Sequence, residues 1–196
     1  SDIQVPYTME YLIRNNGSII VTGSIDLTGT RLPELPRFGM RMELQQSYEN
    51  LTYYGRGPLE NYIDRYSSSF IGRYEDKVEN QFYWYIRPQE TGNKTDVRWL
   101  ALLNSEGEGV KITGLQPIAF SALHFSPEDL DPGLTRKLQH TIDIVPQKNI
   151  FLHVDLKQRG LGGDNSWGMY PYNKYRLLDK KYVYSYMIEL AEKGSD

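Results

Sequence analysis

Two sets of residues in this sequence have types and spacings that can do chemistry. The first is acidic: Glu60 with Asp64, Glu90 with Asp96, and Asp164. Paired carboxylates suit glycoside hydrolysis, where retaining enzymes hold them ~5 Å apart and inverting enzymes somewhat further. A catalytic acid needs an apolar setting that raises its pKa. Asp64 instead stands beside Arg65, and the two read as a brace for the turn at Gly55-Arg56-Gly57. Glu90 lies in a polar loop, where carboxylates are mostly solvated. Arg87, Arg98 and Trp99 flank it and leave a binding role open. The three histidines add little. His140 shares a strand face with Leu138, Ile142 and Ile144, and His153 shares one with Phe151 and Asp155. Histidines so placed are more often hydrogen-bonded core residues than bases, and their spacing fits no metal motif.

The second set is the stretch Gln158-Arg159-Gly160-Leu161-Gly162-Gly163-Asp164-Asn165-Ser166-Trp167-Gly168, which holds four of the 17 glycines and one of the three tryptophans. Glycine is costly inside regular structure and useful where the backbone must take positive φ or pass close to another group. The strand Ile150–Leu156 precedes it, so the pattern is strand, glycine loop, presented tryptophan. Trp167 either plugs the end of the core or stands as a platform. Composition leaves both open, and glycine density favours the platform. Asp164, Asn165 and Ser166 can bond loop amides and fix its shape, a support role. The apolar C–H face of a sugar would stack on such an indole, with hydroxyls meeting polar neighbours.

The elements that must position these residues read as strands. Tyr7 to Arg14 alternates, Asn15-Asn16-Gly17 is a hairpin turn, and Ile19 to Leu27 alternates back. Phe38 to Gln46 alternates after a proline-punctuated link. Leu51–Tyr54 is a short strand ending in the turn cluster Gly55-Arg56-Gly57-Pro58. Short strands follow at Phe70–Tyr74 and Tyr83–Arg87. Val97–Leu103 and Val110–Ile112 form a second hairpin, and Leu138–Val145 with Asn149–Leu156 a third. Ser126-Pro127-Glu128-Asp129-Leu130 starts the one short helix, with Ser126 as cap and Pro127 at its first position. Tyr182–Leu190 is the last strand, and 191–196 reads as a frayed tail. No helical periodicity persists over three turns. The expected fold is a single all-β domain over 1–196, a sandwich or barrel of short antiparallel strands.

Composition bounds the partners. The chain has 196 residues, a formal charge of −3 and no Lys/Arg cluster, which argues against a nucleic-acid surface. No run approaches a membrane span. Without cysteine there is no disulfide, thiolate metal site or cysteine nucleophile, and the compartment stays open. The chain opens at Ser1 without an initiator methionine and reads as a piece of something longer.

The stretch Tyr54-Gly55-Arg56-Gly57-Pro58-Leu59-Glu60-Asn61-Tyr62-Ile63-Asp64-Arg65 resembles a signature of the C-terminal domain of the large, lac-type bacterial β-galactosidases of glycoside hydrolase family 2. Arg87-Pro88-Gln89-Glu90-Thr91-Gly92 with Arg98-Trp99, Ser121 to Ser126, and Gly160 to Trp167 agree in the same order. The resemblance covers about Leu35 to Leu190. It implies a galactose-mutarotase-like supersandwich. It implies that the catalytic glutamates lie on a (β/α)₈ barrel upstream, so this piece alone is expected to be inactive. Trp167 is the residue the resemblance assigns to substrate stacking, while Glu60, Asp64 and Glu90 are scaffold. The parent is expected to hydrolyse terminal β-D-galactosides with retention. It is expected to use Mg and Na bound mainly by other domains, and to be a homo-oligomer. No cofactor or metal ligand is expected here. Two other readings are an aldose 1-epimerase, which needs an acid–base pair across the sugar ring, and a free-standing carbohydrate-binding module.

Overall fold

The computed structural model describes residues 4–131, 139–162 and 168–192. Nine antiparallel strands make almost all of its regular structure: β1 Tyr7–Ile13, β2 Ile19–Asp26, β3 Arg37–Leu44, β4 Asn50–Gly57, β5 Phe70–Lys77, β6 Lys94–Leu103, β7 Glu108–Leu123, β8 Ile150–Gln158 and β9 Lys181–Glu192. They run in the order β1-β2-β9-β7-β6-β4-β5, and β3 joins through β8 to β7. The long strand β7 is the hinge of this network. Its first half pairs with β9 and its second half with β8, while β6 runs along both. The second half, buried on both sides, reads as the continuous apolar run Ile118-Ala119-Phe120-Ser121-Ala122-Leu123.

The β3–β8 pair folds over β2 and β9 to make the sandwich. Phe38 of β3 meets Tyr184 of β9 edge-on at 5.5 Å. Met40 fills the space that a Cβ on Gly23 of β2 would need. The Tyr184 hydroxyl donates across the core to the Val154 carbonyl at 2.8 Å. The buried cluster includes Val21, Leu51, Tyr53, Leu100, Phe120, Ile150 and Leu152. The strand β1 has a partner on one side only, and every one of its residues is exposed. Its alternation therefore marks no buried face.

Several sequence expectations hold. The first hairpin forms with Gly17 at φ +83°, and Asn16 Oδ1 accepts from both the Ser18 amide and hydroxyl. The helix α1, Pro127–Leu130, carries a full capping box between Ser126 and Asp129. Three expectations do not. Gly55-Arg56-Gly57 is not a turn but the end of β4, paired with Phe70-Ile71-Gly72 of β5, and Pro58 follows through a cis peptide. Tyr83–Arg87 is not a strand, since no neighbour offers it a ladder. The third hairpin is also absent among the described residues. Thr141–Asp143 is a 3₁₀ turn at which Asp143 accepts from the His140 amide, and β8 pairs with β3 and β7 instead.

Candidate functional site

The site is assembled on the stretch between β4 and β5. Tyr62 and Arg65 close a tight turn through reciprocal backbone bonds of 3.1 and 2.8 Å, and the Tyr62 ring is buried beneath it. Burial pushes that phenol well above its ordinary pKa. Asn61 is wholly buried and satisfies its neighbours on both sides. Its Oδ1 accepts from the Thr95 amide and hydroxyl, and its Nδ2 donates to the Arg56 and Leu59 carbonyls. Such a saturated amide specifies one geometry, because leaving any partner unpaired in the interior costs ~1–3 kcal/mol.

The two acids of this stretch reach in different directions. Glu60 accepts from the Gly92 amide at 2.8 Å, the Thr91 hydroxyl at 3.0 Å and Arg65 at 2.7 Å, and also from the Tyr85 hydroxyl. It thereby clamps the Arg87–Gly92 motif. Asp64 does not brace Gly55-Arg56-Gly57. Its carboxylate accepts from the Leu161 amide at 3.1 Å and the Gly162 amide at 2.6 Å, almost a hundred residues away. Gly160 lies so close that an added Cβ would meet the Asp64 carboxylate at 2.6 Å. The acid is thus a clamp on the glycine loop, and the three motif stretches 54–65, 87–99 and 160–162 converge through Glu60, Asn61 and Asp64.

The rest of the loop's stem is equally held. The Arg159 amide donates to the Pro36 carbonyl, and the Gly160 amide to the Tyr175 carbonyl at 2.8 Å. Gly162 takes φ +51°, and a Cβ there would meet Pro171 at 2.7 Å, so the two sides of the loop touch at its base. Arg159 and Arg176 both pair with Glu34, at 3.0 and 2.5 Å. Burial works against the Glu34 charge, but the two guanidinium groups outweigh it and hold the carboxyl below its usual range. The exposed Tyr170 ring packs over both cations, 4.6 Å from Arg176 and 5.8 Å from Arg159. Trp167, Asp164, Asn165 and Ser166 lie outside the described residues. Beside the clamp, a cleft of ≈ 340 Å³ opens between Tyr62, Ile63 and Asp96 on one side and Leu156–Gln158 on the other.

A second polar cluster borders this region; the sequence singles out Glu90 and reads His153, beside Asp155, as a hydrogen-bonded strand residue, but gives no sign of Arg37 at their centre. Arg37 of β3 contacts Glu90 at 2.6 Å, Gln158 and His153 Nδ1 at 2.9 Å, and Asp155 at 3.1 Å. Burial raises the Glu90 carboxyl, against the pull of Arg37. Burial likewise pushes Asp155 up to about 7, because one guanidinium cannot fully offset two carboxylates away from water. His153 falls to about 4 through burial first and the charges of Arg37 and Arg41 second. It therefore stays neutral and accepts from Arg37. Asp96 pairs with Arg56 at 2.5 Å rather than with Glu90. His124 bonds Glu49 and the Asn149 carbonyl, and His140 stands exposed beside the 3₁₀ turn rather than on an apolar strand face. Among the described residues no three histidine or carboxylate side chains converge as a metal would need.

Fold and site define a class: an antiparallel β-supersandwich domain that holds a glycine loop on a rigid polar clamp. Residues 2–188 match the family model described as beta galactosidase small chain. The chain is similar to the β-galactosidase of Priestia megaterium, 36% identical over 85% of this chain and 16% of that protein. It is similar to that of Streptococcus thermophilus, 33% identical over 96% of this chain and 18% of the relative. A β-galactosidase of Bifidobacterium adolescentis is 32% identical over 87% of this chain and 16% of its own length. The chain belongs to the β-galactosidase small chain family, and it spans about a sixth of the length of these relatives.

Proposed function

We propose that this chain completes the active-site mouth of a β-galactosidase, presenting Trp167 to the leaving-group side of a terminal β-D-galactoside. The observation that carries the reading is the clamp at Asp64, which fixes the stem of the loop on which Trp167 lies. Charge-assisted bonds to two adjacent amides preorganise the loop's stem, and binding gains from preorganisation. Hydrolysis itself, with retention through a galactosyl intermediate, belongs to two glutamates on a barrel elsewhere in the parent chain. Magnesium and sodium are likewise assigned to the parent's other domains. An epimerase reading finds no support in the histidines. His153 is pinned by Arg37, His124 by Glu49, and His140 stands apart on an exposed turn.

In the full β-galactosidase chain, Trp167→Ala should raise KM for lactose roughly tenfold, the equivalent of about 1.4 kcal/mol. The thermal midpoint should stay within a few degrees of the parent. An unchanged KM would remove Trp167 from the substrate site. A collapse of the fold would make it a core residue instead.

A further inference from the structure

We infer that Asp64 is a positioning residue for substrate binding, its carboxylate setting the attitude of the glycine loop at Gly160-Leu161-Gly162. This inference rests on the proposed role of Trp167, and its test separates the two. The geometry is specific in three ways. Both carboxylate oxygens are used, Oδ1 on the Leu161 amide and Oδ2 on the Gly162 amide. These amides are adjacent, so the pair fixes a direction as well as a distance. The approach is so close that only glycine fits at 160, where the atoms an added Cβ would meet first are all Asp64 side-chain atoms. The acid itself is seated by the tight Tyr62–Arg65 turn, whose buried ring anchors it to the core. Asp64 is half-buried and Leu161 is exposed.

The test is a substitution cycle in the full β-galactosidase chain, assayed on lactose. Asp64→Ala should raise KM roughly tenfold, the loss of about 1.4 kcal/mol, with kcat within roughly twofold of the parent. Asp64→Asn keeps the volume and one acceptor oxygen, and should recover part of the loss. Gly160→Ala should raise KM in the parent by pushing the carboxylate aside. It should add little in the Asp64→Ala background, where the two atoms at 2.6 Å are gone and only the Cβ at 3.1 Å remains. That non-additivity is the signature of a shared contact. Where Asp64→Ala does not accumulate, Asp64→Asn alone carries the test: a raised KM with kcat within roughly twofold of the parent supports the inference, and an unchanged KM overturns it. Additive effects at 64 and 160, or an unchanged KM in Asp64→Ala while Trp167→Ala behaves as proposed, overturn the inference alone. An unchanged KM in Trp167→Ala overturns the proposed function and this inference with it. Equal falls in kcat and kcat/KM at position 64 would instead assign Asp64 to the transition state.

Discussion

Arg37 carries a larger share of the interior electrostatics than its place after a proline-rich link suggests. It serves Glu90, Gln158, His153 and Asp155 at once. Asp155 is the member whose charge is least supported: it is fully buried and its carboxyl is pushed up to about 7. A carboxyl raised above its unfolded value favours the fold while protonated. That contribution is whole below about 4, where both states are protonated, and is lost as pH rises towards 7. His153 works oppositely. Its folded value of about 4 lies below the ordinary 6.5, so its contribution is lost as pH falls from about 6.5 to 4. Asp155→Asn removes the falling component alone. The midpoint of the Asn variant relative to the parent should therefore climb between pH 4 and 7 and level off above. Thermal melts across that range check it, and a flat difference would mean that Arg37 keeps Asp155 ionised throughout. At this scale the sequence was partly legible. Glu60, Asp64 and Glu90 stood out as scaffold, and the structure ties each to backbone or guanidinium groups. Their partners were hidden, because Asp64 and Leu161 are 97 positions apart and a carboxylate carries no sign of which amide it will meet.

Among the elements, the glycines of β4 decide how closely the sheet can pack. Gly55 faces Val97 so tightly that a Cβ would come within 2.6 Å of its Cγ2 and 2.9 Å of its Cα. Gly72 is its partner across the β4–β5 ladder, yet a Cβ there would meet only the Tyr74 ring at an ordinary 3.4 Å. Neither glycine has a positive φ, so the contrast is one of space. Gly55→Ala should destabilise by about 1–3 kcal/mol through overpacking, a fall of about 2–4 °C in Tm for each kcal/mol. Gly72→Ala should be neutral, or more stable by about 0.4–1 kcal/mol through the unfolded chain. Equal losses at both sites would show that strand glycines matter here for flexibility rather than for close approach. The same glycines explain a misreading, since Gly-Arg-Gly-Pro carries a turn's composition while sheet packing keeps it extended. The opposite error occurred at Tyr83–Arg87 and at 139–145. Their aromatic and branched residues favour strands, but propensity forms no ladder without a free edge to pair with. Among the described residues the two segments instead meet through a bond from the Thr141 hydroxyl to the Tyr85 carbonyl. Alternating runs bordered by clear turns, such as β1, β2 and β9, were legible because period and punctuation agreed.

For the whole molecule, the central question is whether the chain can turn over substrate by itself. Retaining glycosidases need two carboxylates ~5 Å apart, one of them free to attack and the other to exchange a proton. Among the described residues, the acids that the sequence offers for this are all committed. Glu60 holds Thr91, Gly92 and Arg65, Asp64 holds the loop stem, Glu90 holds Arg37, and Asp96 holds Arg56. Each is engaged by backbone amides, a hydroxyl or a guanidinium, and Asp64 in addition holds the stem of the loop. The relatives are consistent with this division of labour, since the stretch they share with this chain is 16–18% of their length. The 196-residue chain on its own should therefore release no o-nitrophenol from o-nitrophenyl β-galactoside above the buffer rate, and should not accelerate the mutarotation of fresh α-galactose in a polarimeter. Hydrolysis by the isolated chain, abolished by substitution of Glu60 or Glu90, would place the catalytic pair inside this sandwich. Catalysed mutarotation lost on substitution of His124 or His153 would favour the epimerase reading. Silence in both assays, together with a raised KM for Trp167→Ala in the full chain, leaves one arrangement that satisfies every contact described: a rigid polar scaffold whose work is to hold a loop against a site built elsewhere.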